Sequence, residues 1–176
     1  AALVAAFLLL VVTVAGALWQ TERGVQLNAE VRQSLAQRSS LRLLMRGMQD
    51  AETGQRGYLL TGQESYLEPY FASRDEIARE LANIDSYAGG DASRVAESQR
   101  FHELVGAKLA ELQLTIDMRR DGRGNVALER VRSGRGKEVM DEFRAMIAAA
   151  EAREQQLVVE NMAAVDRSAG RLRTRF

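Results

Sequence analysis

Cysteine is absent from the 176 residues, which excludes disulfides, thiol nucleophiles and cysteine metal sites. Histidine occurs once, at His102, so histidine-cluster metal centres are not expected. The only proline is Pro69, aromatic residues make up 6% of the chain, and β-branched runs are few. Strands are enriched in aromatic and β-branched residues, a single proline leaves long helices uninterrupted, and the Ala-, Leu-, Glu- and Arg-rich remainder favours helices. Net charge is also missing, because 24 basic residues face 24 acidic ones. A nucleic-acid-binding domain carries a clear basic surplus, so no nucleic-acid partner is expected. No nucleophile elbow, nucleotide fingerprint, kinase signature or zinc motif occurs. The expectation is therefore no catalytic residue, no metal and no cofactor within these residues. Only Lys108 and Lys137 among the basic residues are not arginine, an asymmetry taken here as coding bias.

What is present begins with an uncharged run, Ala1 to Trp19. As a helix it would span about 28 Å, close to the roughly 30 Å hydrocarbon core of a bilayer. Trp19 falls where an interfacial anchor belongs, and Glu22 and Arg23 end the apolar stretch. Length favours a membrane-spanning anchor over residues 1–19. The rival is a signal peptide cleaved after Ala15-Gly16-Ala17, which would leave a secreted helical binding protein. Either reading sends residues 20–176 across a membrane. The lack of an initiator methionine points to a true N-terminus further upstream.

Helical periodicity governs the remainder. From Gln20 to about Leu60, Leu35, Leu41, Leu44, Met45, Met48 and Ala51 keep three-and-four spacing. The helix is expected to run unbroken out of the membrane and to stop at Thr61-Gly62. Two overlapping capping boxes, Thr61 with Glu64 and Ser65 with Glu68, predict a new start, and Pro69 fits a first turn. Tyr66, Tyr70, Ile77, Leu81 and Ile84 form the stripe of the second helix, which ends at Gly89-Gly90. Asp91 caps a third helix with the stripe Phe101, Val105, Leu109, Leu112 and Ile116. Asp121 to Gly124 reads as a turn, Asn125 as the cap of a short helix, and Ser133 to Gly136 as a second weak point. The last helix, from about Lys137, carries Met140, Phe143, Ile147, Ala150, Leu157, Val158, Met162, Val165 and Leu172, with Glu154 and Asn161 on the same seam. That approximates a heptad. The expected fold is all-α: an up-and-down four-helix bundle with long first and last helices, preceded by a transmembrane helix.

Helix lengths carry an expectation about assembly. The first helix beyond the membrane would extend roughly 60 Å and the second only roughly 36 Å. The membrane-proximal parts of the first and last helices then have only each other. A two-helix ribbon of Ala and Met seams buries too little by itself. A parallel homodimer, pairing two ribbons into a four-helix coil, resolves this.

Candidate chemistry concentrates at Asp50 to Tyr70. Glu52, Arg56 and Tyr58, beside Gly54 and Gly57, are the candidates for a small-ligand site. Structural roles compete with this. Asp50 and Glu52 stand four residues from Arg46 and Arg56, the spacing of helix ion pairs. Tyr58 can pack in a corner, and Arg56 can bond the open carbonyls of a helix end. His102 reads as a partly exposed helix residue. Arg119 to Lys137 holds seven basic and two acidic residues and reads as a solvated tip, with an anionic ligand as the alternative.

The run DAETGQRGYLLTGQESYLEPY resembles the signature of the type-three CHASE domain, a sensory extracellular domain of cyclases and histidine kinases. Lys108 to Leu157 is similar to that family as well: a helix, a charged turn, an Ala-rich short helix, a glycine turn and a long final helix. The resemblance implies a helical input domain between two membrane helices, the second following residue 176. It implies fusion to a cytoplasmic output: a histidine kinase of a two-component system, a nucleotide cyclase or a chemotaxis-type receptor. It implies a place on the periplasmic side of a bacterial inner membrane and an extracellular small ligand or stimulus of unknown identity. A scaffold that only dimerises is the alternative without sensing.

Overall fold

The structure is a computed structural model that describes residues 2–173, with most side chains between 3 and 164. Every described element is helical. α1 runs unbroken from Ala2–Thr61, a 3₁₀ turn covers Glu64–Leu67, and α2 follows over Glu68–Ala88. α3 is Ala92–Arg120, α4 is Gly124–Arg132 and α5 is Arg135–Arg173. Among the described residues no helix is long and apolar enough to cross a membrane. The side chains at several positions of the apolar run, and those of Val165 and Leu172 on the expected seam, lie outside the described residues.

The chain divides into two compact units. Residues 36–153 form the first. Leu41, Leu44 and Met48 of α1, Ile77, Leu81 and Ile84 of α2, Phe101, Leu104 and Val105 of α3, and Met140, Phe143, Ile147 and Ala150 of α5 share one apolar core. Cross-links fix the directions. Tyr70 reaches Gln113 while Asp85 reaches Ser98, so α2 and α3 are antiparallel. Gln37 pairs with Arg94 and Gln55 with Thr115, so α1 and α3 are parallel. Glu97 pairs with Arg153 while Lys108 meets Gly136, so α5 runs back along α3.

Residues 1–35 and 154–176 form the second unit, a pair of helices. Asn161 bonds Glu30 there at 3.1 Å, and Glu154 is fully buried. The seam differs from the expected one. Leu35 is 48% exposed, whereas Ser34, one residue earlier, is buried, and Met162 is 57% exposed. In the other unit Gln37 and Ser40 continue the buried spacing of Ser34, so α1 turns a polar stripe inward before Leu41. The apolar count favoured Leu35, but the helical phase set by Leu41, Leu44 and Met48 places it outside.

Helix ends depart from expectation in three places. Neither capping box forms. The Thr61 hydroxyl donates to the Gly57 carbonyl and accepts from the Gln63 N–H, while Glu64 is drawn to Arg120. The 3₁₀ turn runs directly into α2 from Leu67, leaving no free helix end to cap, and Tyr66 is consequently exposed in that turn. The residue before α4 is Arg123, so Asn125 sits inside its first turn. Pro69 lies in the first turn of α2, Gly89 ends that helix in the left-handed region, and Asp91 accepts from the Ser93 and Arg94 N–H groups, as the sequence suggests.

Candidate functional site

The corner between α1 and α2 is built on close approach. A Cβ on Gly54 would lie 3.0 Å from both the Tyr66 carbonyl oxygen and the Tyr70 nitrogen, and one on Gly57 would lie 2.5 Å from the Tyr66 ring. These glycines let the returning chain lie against α1. Gly62, at φ +74°, makes the turn itself. Beyond it Arg120 grips Glu64 through two bonds, 2.9 and 2.6 Å, and its guanidinium stands 6.0 Å from the centre of the Tyr58 ring. Burial, and then the Glu64 carboxylate beside it, push the Tyr58 hydroxyl above its ordinary pKa. The Arg120 hydrogen bond holds Glu64 below the usual carboxylate range.

One turn back along α1 lies a buried charged cluster. Lys108 Nζ donates to Glu52 at 3.0 Å, to Glu111 at 3.3 Å and to the Gly136 carbonyl at 3.2 Å. An ammonium has three donors, and here each has an acceptor. The Lys108 side chain is only 3% exposed. Arg56 closes on Glu52 from the solvent side at 3.0 Å. A Cβ at Gly136 would fall 2.5 Å from the Glu111 carboxylate, so the glycine leaves room for the cluster. The layer continues through Gln55, which donates to Thr115 at 2.7 Å, and Tyr70, which donates to Gln113 at 3.0 Å. It ties α1, α2, α3 and the start of α5 together, and its donors and acceptors are matched.

Glu52 and Arg56 therefore meet, whereas Tyr58 belongs to the separate Glu64–Arg120 group. Arg56 bonds Glu52 instead of helix-end carbonyls. His102 is not solitary: its Nε2 lies 3.1 Å from both Asp85 oxygens, and Ser98 donates to the same carboxylate. Burial raises the Asp85 pKa, but the bonds from Ser98 and His102 outweigh it and leave the carboxyl below its ordinary value. This trio resembles a hydrolase triad only in composition, because Asp85 stands at its centre and no hydroxyl is bonded to the imidazole. Lys108 and Glu111 escaped the sequence reading. The signal was there: Lys108 sits on the α3 stripe between Val105 and Leu112, and it is one of two lysines in an arginine-rich chain. Its compact ammonium has three donors, and the site supplies three acceptors.

The CHASE3 domain family matches residues 27–164, and the chain belongs to that family. It is thus a sensory input domain of the extracellular type found in membrane receptors. Its fold is similar to that of a crystal structure of the Rhodopseudomonas palustris histidine kinase HK9 sensor domain. The TM-score is 0.64 at 21% identity, over 71% of this chain and 98% of that one. Among curated proteins none matches.

Proposed function

We propose that the domain is the extracytoplasmic input of a sensor histidine kinase in a two-component system. Residues 1–19 anchor it in a bacterial inner membrane, and a second span follows residue 176. An external event displaces α5 along its seam, and that displacement is the output. The family match over residues 27–164 carries this reading, and the likeness to a histidine kinase sensor domain supports it. The course of α5 also supports it, since one helix runs from the Lys108 cluster to Arg173.

Two near-equal packings of that seam supply the switch, and its polar members Glu154 and Asn161 keep them close in energy. Replacing both with leucine in the full-length receptor is expected to stabilise the domain and lock its output. An unchanged stimulus response in that variant overturns the mechanism. The domain acts as a parallel homodimer through its two-helix unit, where Val25, Leu35, Val159 and Met162 are exposed. Light scattering of the intact receptor in mild detergent is expected to give twice the chain mass, and a monomer refutes the assembly.

A further inference from the structure

Arg119 and Arg120 are adjacent at the end of α3, yet their surroundings are opposite. Arg120 has a carboxylate of its own in Glu64. Arg119 has none: among the described residues its guanidinium makes no hydrogen bond and no ion pair. It lies instead between two glycines. A Cβ on Gly62 would stand 3.1 Å from Nη2 and one on Gly124 only 2.4 Å from Nη1, with the Arg119 Cδ and Cζ at 3.0 and 3.3 Å. Gly62 is needed for its positive φ. Gly124 has no such backbone requirement, and its missing side chain is what leaves the guanidinium its place. The nearby acidic groups are engaged elsewhere, Glu64 by Arg120 and Asp121 by Arg123.

A guanidinium offers paired N–H donors that match a planar oxyanion, as Arg120 shows with Glu64. We propose that Arg119, seated between Gly62 and Gly124, is a binding site for a small oxyanion, a carboxylate-bearing solute or a phosphate. The anion would take at Arg119 the place that Glu64 takes at Arg120. The site joins the end of α1 to the start of α4, one turn beyond the Tyr58 corner. An occupant there would bear on the link into α5. That consequence rests on the sensory reading, whereas the binding does not, so a binding failure leaves the sensory reading intact.

The test is an NMR titration of the isotope-labelled chain with acetate and, separately, inorganic phosphate, with chloride holding ionic strength constant. The Gly62 and Gly124 amide signals are expected to move along a saturating curve with a Kd on the order of 10 mM. Whichever anion saturates first identifies the class. In Arg119→Gln the saturation is expected to vanish. In Gly124→Ala, where the new methyl displaces the guanidinium, affinity is expected to fall at least about fivefold with the thermal melt unchanged. A linear drift with both anions, or curves in either variant that match the parent, overturns the proposal.

Discussion

Around Phe101 and Phe143 the interior of residues 36–153 is apolar: the two rings meet edge to face at 6.0 Å, within a shell of Leu, Ile and Met. Around Lys108 it is charged, and each donor is aimed at a named acceptor. The apolar region gains free energy from any well-filled arrangement of similar volume, so it tolerates small shifts of one helix along another. The charged region does not tolerate them, because a displaced ammonium leaves the part-buried Glu111 without a partner and Glu52 with only Arg56 on its solvent side. The expectation is that cohesion comes mainly from the first region, and the relative register of α1, α3 and α5 mainly from the second.

The largest expected effect comes from emptying the apolar region. Phe143→Ala should cost about 3–5 kcal/mol, read from urea unfolding, and no second truncation nearby should restore it. A loss under about 1 kcal/mol would mean that the core is loosely packed. Lys108→Met should cost about 3 kcal/mol, because Arg56 still covers Glu52 from outside. Unlike the core variant, it should be rescued. Adding Glu52→Leu and Glu111→Leu removes the stranded charges and should recover most of the loss. Failure of that rescue would show that the cluster contributes cohesion and not only register. The smallest pair has opposite signs. Gly54→Ala, with backbone atoms on two sides, should lower the melting temperature. Gly106→Ala, exposed in α3 with nothing within 4 Å, should raise stability by about 0.5–1 kcal/mol. Equal signs in calorimetry would remove the close-approach account of the corner.

Most helices were legible because their signals are local. Pro69, Gly89 and Asp91 mark ends by backbone chemistry that needs no partner, and the three-and-four stripes of α2 and α3 name their buried faces. The capping boxes misled because Glu64 had a stronger distant partner in Arg120, 56 residues away. Leu35 misled because one apolar residue does not fix the phase of a long helix, whereas the run from Leu41 does. Of the candidate residues, Glu52 was found without its principal partner, and Tyr58 was grouped with residues it does not join.

The sequence by itself determined that the chain is helical, where most helices turn, and which family it belongs to, since periodicity, glycines and the Asp50–Tyr70 run are all local patterns. Tertiary structure alone decided that Lys108 lies between Glu52 and Glu111, that Asp85 holds both Ser98 and His102, and that Arg119 rests between Gly62 and Gly124. Each of those arrangements depends on which faces of separate helices meet. Side-chain charge acts through space, and the sequence order does not record that distance.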